Sequence, residues 1–236
     1  MQTDSVAMLF DLDGTLISSS RDLAVAANRM LDGLDLPRVP DQSVEGWIGD
    51  GVRQLVRRCI TGGPDAQAPE CMVDRGLEIF RREYLDGGFR NTELLPGCVP
   101  VLEAFGIAGF PCALVTNKPL VPTLAILEKF RLMEHFTSIV CGNTLSVAKP
   151  NPEPLLHALR GCEASSGWMV GDSVTDSSAS VAAGLPFIAV RGGYGPESDP
   201  ERFPHIPNML LDGLEDLLEP DGRPLEILSR PPVVSE

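Results

Sequence analysis

The 236-residue sequence has no apolar run approaching the roughly 20 residues needed to cross a bilayer, so no membrane span is expected. The opening stretch "MQTDSVAMLF" lacks a basic region ahead of a long apolar segment, and reads as a first strand rather than a leader. Six cysteines are present, irregularly spaced and without a Cys-x-x-Cys pair, and only three histidines, widely scattered. Neither set offers the ligand spacing of a zinc site. Cys112 and Cys141 fall in apolar, strand-like runs and read as small core residues. The expectation is a cytoplasmic protein with reduced thiols. Positive charge is scarce: 19 Lys and Arg stand against 33 Asp and Glu, a formal net charge of −14. Such a surface repels nucleic acid and anionic lipid, which excludes both as expected partners. A small anionic ligand needs a local positive centre that overrides this field. No internal repeat is found.

The sequence does contain short apolar runs that alternate with helix-length segments, the pattern of a parallel sheet with crossover helices. Strands are predicted at 6–11, 112–116, 138–141, 168–172 and 187–190. Pro119, Pro152 and Pro154 suit the first turns of following helices, and Gly184 closes a helix over 173–184. Between the first two strands the alternation stops. Residues 21–34, 52–60 and 74–85 have amphipathic helical periodicity, and no strand is predicted from Ile17 to Arg90. "LPRVPDQ" and "TGGPDAQAPE" read as loops within this block. The fold class is therefore α/β: a Rossmann-like doubly wound parallel sheet with an α-helical cap inserted after the first strand. The core spans 1–16 and 91–236, the cap 17–90, and the tail from about 219, rich in proline and polar residues, is expected to be loosely held.

Chemistry gathers where the predicted strands end, which in a doubly wound sheet is the ligand crevice. "VAMLFDLDGTLISS" places Asp11 and Asp13 at the end of a buried run. Ionised carboxylates out of water cost several kcal/mol unless something pairs with them. Leu12 between them should point into packing, leaving both acids on one side. The second strand ends in Thr116-Asn117-Lys118, the fourth in Gly171-Asp172-Ser173 with Asp176 one helical turn later, and a loop after the third carries Lys149. Asp11, Asp13 and Asp172 together call for a cation. Magnesium suits them, since it takes oxygen ligands and needs only one or two carboxylates besides water and phosphate. With Lys149 it forms the local positive centre that a phosphate requires. A carboxylate beside the phosphorus can then attack it, and a second can protonate the leaving alcohol and later activate water. Thr116 and backbone N–H groups of the Asp11 loop would hold phosphoryl oxygens, with Gly14 allowing the tight turn.

"DLDGTL" (11–16), "VTNK" (115–118), "KPNPEP" (149–154) and "VGDSVTD" (170–176) occur in the order that defines the haloacid dehalogenase-like hydrolase superfamily. The chain resembles its phosphoglycolate phosphatase group, over nearly all of its length except the tail. "GWIGDGVRQLVRRCI" (46–60) is similar to that group's cap segment, and "EYLDGGFRNTELLPGCVPVLEAF" to its return into the core. The resemblance implies Asp11 as nucleophile and Asp13 as general acid and base. It implies magnesium held by Asp11, the backbone carbonyl of Asp13, and Asp172. It makes Thr116, Asn117 and Lys149 phosphate-binding residues, with Gly14, Thr15, Ser173 and Asp176 in support. Ser18, Arg21 and "VRGGYG" (190–195) depart from the group's usual pattern, and none of them touches the four motifs.

The expected partner is a small phosphorylated metabolite, 2-phosphoglycolate first, acting on a monomer or homodimer. Amino-sugar phosphates, pyrophosphate and nucleotides are rival substrates, a sugar phosphomutase is the rival enzyme on the same core, and a non-enzymatic phosphate-binding regulator is the rival of a different class. Arg53, Arg57 and Arg58 could reach a substrate carboxylate from the cap, but a charge run of this kind usually means a solvated helix face. Asp176 is divided between site support and helix-face charge, and Tyr194 is read as structural.

Overall fold

Val6–Phe10 is a run of five apolar residues, none more than 6% exposed, and it forms the inner strand on which the molecule is built. The structure is a computed structural model that describes residues 5–64, 67–194, 203 and 205–230. In chain order the elements are β1 (Val6–Phe10), β2 (Ile17–Ser18), α1 (Ser20–Gly33), α2 (Asp41–Glu45), α3 (Val52–Thr61), α4 (Glu70–Asp86), β3 (Glu93–Leu94), α5 (Cys98–Ile107), β4 (Cys112–Val115) and α6 (Leu120–Phe130). β5 (Ser138–Val140), α7 (Glu153–Gly161), β6 (Ser166–Gly171), α8 (Val174–Ala182), β7 (Phe187–Val190) and β8 (Met209–Leu211) follow, with short 3-10 turns between and after them.

Six strands form one parallel sheet in the order β5-β4-β1-β6-β7-β8. Both faces of the sheet are covered, which is why its strands read as continuous apolar runs rather than alternating ones. Met8, Phe10, Leu114, Val170 and Ile188 share one core with α5 and α6, where Phe105 meets Phe10 edge-on at 6.1 Å. Ala7, Leu9, Ala113, Met169 and Ala189 pack on the other side against α7 and α8.

Helices α1 to α4 are inserted between β1 and β4. The chain leaves and returns through β2 and β3, an antiparallel pair in which Ile17 faces Leu94 and Ser18 faces Glu93. The sequence predicts no strand here, because two residues are too few to show a period. Asp22 fastens the same junction. It is buried at the start of α1, and its carboxylate accepts from Asn91 N (3.0 Å), Asn91 Nδ2 (2.9 Å) and Thr92 Oγ1 (2.7 Å).

Several expectations are corrected. The "LPRVPDQ" loop ends in α2, and α4 begins at Glu70, straight after Pro69. β8 was not predicted: it is three residues long and at the sheet edge, with only Leu211 buried. Residues 219–230, expected to be loosely held, fold back on the core. Leu225 N donates to Leu217 O at 3.0 Å and Leu228 is fully buried. Residues 231–236 lie outside the described residues.

Candidate active site

Asp11 follows β1 directly and stays in its ladder, its N–H donating to Val170 O at 3.0 Å. The chain then turns sharply. Gly14 adopts φ +88°, and the N–H groups of Thr15, Leu16 and Ile17 all point back to Leu12 O. A side chain at Gly14 would be strained by that φ, and its Cβ would stand 2.2 Å from Asp172 Oδ2. Leu12 is fully buried in the core, whereas Asp11 and Asp13 both line a cavity of about 590 Å³ between the sheet and the inserted helices.

Three carboxylates, that of Asp11 among them, meet at the end of β1. One oxygen each from Asp11, Asp172 and Asp176 lies within 4.8 Å of the others, and all three residues are buried. Lys149, itself buried, is the one ammonium among them. Its Nζ donates to Asp11 Oδ1 (2.8 Å), Asp176 Oδ1 (2.6 Å) and Val115 O (2.6 Å), so all three of its protons are spent. Burial works against its charge, but Asp11 and Asp176 outweigh that and raise its pKa. Burial pushes Asp11 up to about 7, with Lys149 pulling it down and Asp176 pushing it further up. Asp172 is also raised well above the usual carboxylate range, by burial first and then by Asp176 and Asp11. Its oxygens accept from Thr15 Oγ1 (2.9 Å) and Tyr194 N (3.0 Å). Three buried acids against one ammonium leave a deficit of positive charge, and the donors are all oxygen. That set fits a hard divalent cation such as magnesium.

Ser173 and Asp176 reveal how the cluster is held. Ser173 caps α8: its Oγ accepts from Asp176 N (3.2 Å) and donates to Asp176 Oδ2 (2.6 Å), while Ser173 N donates to that same oxygen at 3.2 Å. One carboxylate oxygen therefore completes a capping box and the other holds Lys149. Asp176 is fully buried against Lys149 rather than set on a solvated helix face.

The Asp13 carboxylate turns away from this cluster. Its two oxygens accept from Lys118 Nζ at 2.8 and 3.0 Å, and Ser19 Oγ donates to Oδ1 as well. Lys118 is 7% exposed and stands 4.9 Å over the ring of Tyr84, a buried residue of α4. Burial opposes its charge, and Asp13 beside it reverses the balance and raises its pKa. Sequence reasoning quoted Lys118 within "VTNK" but gave it no role. The available signal was its position two residues after Thr116.

Thr116 and Asn117 are brought to the cavity, with different duties. Thr116 Oγ1 accepts from Lys118 N at 3.2 Å, which leaves its own O–H to donate to a ligand. The Asn117 side chain, expected to bind phosphate, is committed elsewhere. Its Nδ2 donates to Gly49 O (3.0 Å) and Lys149 O (2.9 Å), and its Oδ1 accepts from Lys149 N (3.0 Å). It ties the Lys149 loop to the inserted domain. Among the cap arginines, Arg53 pairs with Glu70 and Asp74 (2.5 and 2.8 Å), Arg57 with Glu70 (2.6 Å) and Arg58 with Asp50 (2.6 Å). The helix-face reading fits them better than substrate capture. Tyr194, besides its N–H bond to Asp172, accepts at its Oη from Ser19 N and from Ser20 N.

Comparison with known proteins agrees with this geometry. A family model for haloacid dehalogenase-like hydrolases matches residues 8–190. The plasmid phosphoglycolate phosphatase of Cupriavidus necator is 39% identical over 214 residues, covering 89% of this chain and 90% of its own. That of Nitrosospira multiformis is 37% identical over 195 residues, covering 82% and 86%. Among solved structures, a predicted phosphoglycolate phosphatase from Haemophilus somnus superimposes with a TM-score of 0.78 at 27% identity, covering 92% of this chain and 97% of its own. The four motifs, the inserted helical domain and these matches together establish that the chain belongs to the haloacid dehalogenase-like hydrolase family.

Proposed function

We propose that the protein is a magnesium-dependent phosphatase that hydrolyses 2-phosphoglycolate to glycolate and phosphate through a phosphoryl group carried on Asp11. The observation that carries this reading is the split between the two acids of the Asp11 loop. Asp11 is fixed by Lys149 in the acidic cluster, while Asp13 is held by Lys118, and both line the same cavity. The names of the relatives supply the substrate.

Asp11, Asp172 and the backbone carbonyl of Asp13 would hold the magnesium, whose charge supplies the electrostatic neutralisation that an anionic phosphate and carboxylate need to meet. Asp11 attacks phosphorus in line, and the P–O bond to glycolate breaks as Asp13 delivers a proton to the leaving oxygen. In the second half, Asp13 takes a proton from water. The resulting hydroxide attacks phosphorus, the P–O bond to Asp11 breaks, the Asp11 carboxylate is regenerated and inorganic phosphate is released. Thr116 donates its hydroxyl to a phosphoryl oxygen. Lys149, with all three protons spent, contributes its charge by balancing Asp11 rather than by a free hydrogen bond. Asp176 acts by orienting Lys149.

Residues 17–90 form a cap on this reading: Gly49 and Tyr84 touch the core loops at the site, where a closing domain would exclude water and read the leaving group. The six cysteines are all free, five of them buried, which fits a reducing cytoplasmic setting. The test is a phosphate-release panel of small phosphate esters with and without magnesium. 2-Phosphoglycolate is expected to be the preferred substrate, and Asp11→Asn or a chelator to abolish release. Magnesium-dependent turnover by purified Asp11→Asn would refute the mechanism.

A further inference from the structure

We propose that Lys118 and Tyr84 form an anion subsite for the leaving group, one that takes a carboxylate attached within one carbon of the ester oxygen. This rests on the phosphatase reading above and supplies its substrate class.

Two donors at the cavity wall are incompletely used. Lys118 Nζ spends two of its three protons on Asp13; the Tyr84 oxygen stands beside the ammonium and supports its charge, and no other acceptor is seen for the third proton among the described residues. Tyr84 is 5% exposed, yet its Oη has no hydrogen-bond partner among the described residues. A buried hydroxyl without a partner costs about 1–3 kcal/mol and needs a reason. Burial pushes this phenol up to about 12, so at neutral pH it remains a donor. Both residues line the same cavity, Tyr84 from the inserted domain and Lys118 from the core.

Position sets the reach. Asp13 must lie within hydrogen-bond distance of the ester oxygen to protonate it, about 2.7 Å. Lys118 Nζ is 2.8 Å from Asp13, so the ammonium lies within about 5.5 Å of that ester oxygen. A carboxylate one carbon away from the ester oxygen falls inside that radius together with its own hydrogen bond. Chemistry sets the sign: an ammonium and a phenol O–H side by side receive an anion. One further cation stands on the cavity wall, Arg81, an exposed residue of α4; the others are engaged. Lys149 is fully engaged, and Arg53, Arg57 and Arg58 are turned to Glu70, Asp74 and Asp50. A sugar leaving group would place only neutral hydroxyls here and gain far less. Lys118 also accounts for how an acidic protein tolerates a carboxylate on its substrate in addition to the phosphate.

The experiment compares 2-phosphoglycolate with ethyl phosphate, in which a methyl group replaces the carboxylate, for wild type, Lys118→Met and Tyr84→Phe, all with magnesium. The readout is the ratio of the two kcat/KM values, because loss of Asp13 positioning alone would lower both substrates together. The ratio is expected to fall about 10–150-fold in Lys118→Met, the span of one charge-assisted hydrogen bond, and about 5–10-fold in Tyr84→Phe. Tyr84→Phe removes a single oxygen and keeps the ring, so it carries the test if Lys118→Met fails to fold. Calorimetric titration of magnesium-loaded protein with glycolate gives an independent readout, with binding weakened by the same factors. An unchanged ratio in both variants, or a wild type that does not prefer the carboxylate ester, would overturn the subsite. Failure of the phosphatase reading looks different: no ester, 4-nitrophenyl phosphate included, releases phosphate. Glycolate binding then decides alone. Its loss in both variants supports the subsite, and its absence from wild type, or its persistence in the variants, overturns it.

Discussion

Replacing Lys149 by Met removes the one ammonium from a cluster of three buried carboxylates. Methionine is unbranched and of similar reach, so the perturbation is electrostatic rather than a cavity. Asp11 and Asp176 lose donors at 2.8 and 2.6 Å, and Val115 O loses one at 2.6 Å. Breaking a buried ion pair from one side costs about 3–5 kcal/mol, because the partner charges stay buried without compensation. For a chain of this length the entropy of unfolding is about 0.5 kcal/mol/K, so the metal-free variant should melt about 6–10 °C below wild type at pH 7.5. The loss should shrink in two ways. Saturating magnesium restores positive charge to the cluster. Lowering the pH to about 5.5 lets the acids take up protons instead, since Asp11 already titrates near 7 in the presence of Lys149. Differential scanning calorimetry in EDTA, in magnesium, and at the two pH values reads all of this. A melting temperature within about 2 °C of wild type in EDTA at pH 7.5 would refute the charge accounting, and with it the argument that the cluster is built for a cation.

Three more outcomes follow from the same contacts. Asp11 is raised from the usual 3.8 to about 7 by burial, so between those values the folded protein holds a proton that the unfolded chain has released; stability contributed by this group is present at low pH and lost as pH rises towards 7. In EDTA, the stability of wild type relative to Asp11→Asn, from urea midpoints, should therefore fall by up to about 1.4 kcal/mol per pH unit across that range and level off above it, and a rise would contradict the sign. Asp22→Ala strips four hydrogen bonds from the junction of the inserted helices and leaves three donors without that carboxylate, only one of them, Thr92 Oγ1, on a buried residue; this should cost about 1–3 kcal/mol in denaturant titration, with no loss if the junction is held by β2 and β3 alone. Gly142→Ala would place a Cβ 2.1 Å from Asn117 O, a backbone atom that cannot step aside, so the Asn117-Lys118 segment must move and kcat/KM should drop more than about tenfold; full activity would show that this segment need not hold its position.

The sheet was legible because its strands are buried on both faces. Met169–Gly171 and Phe187–Val190 are short apolar runs bounded by turn or polar residues, and the order of motifs put their ends together. What escaped was short or relational. β2 and β3 are two residues each, too brief for any periodicity, and their pairing spans the whole inserted domain. β8 is three residues at an edge. Asp22 resembles any acid in a first helical turn, and only its partners Asn91 and Thr92, about 70 positions away, show that it is buried and spent. The four acids and Lys149 were singled out through motif context, and the structure gathers Asp11, Asp172, Asp176 and Lys149 in one cluster. The contacts of the Asn117 side chain were not legible, because an amide that stitches three backbone groups looks in sequence like any polar residue after a strand.

The two buried lysines show why residue type alone could not separate their roles. Both are buried, both are paired with an aspartate of the Asp11 loop, and both are held charged by those neighbours. They differ in what remains unspent. Lys149 has three acceptors for three protons, and two of those acceptors are themselves fixed, Val115 O by the sheet and Asp176 by its capping box with Ser173. Such an ammonium is a fixed charge. Lys118 has one carboxylate for three protons, and an unpartnered phenol beside it. Such an ammonium can still take an anion. On the proposed function, a protein with net charge −14 that binds an ester carrying both a phosphate and a carboxylate uses both kinds, one to balance its own carboxylates and one to receive the carboxylate of the ligand. The distinction lies in counting donors against acceptors in three dimensions, which the sequence "VTNK" has no means to express.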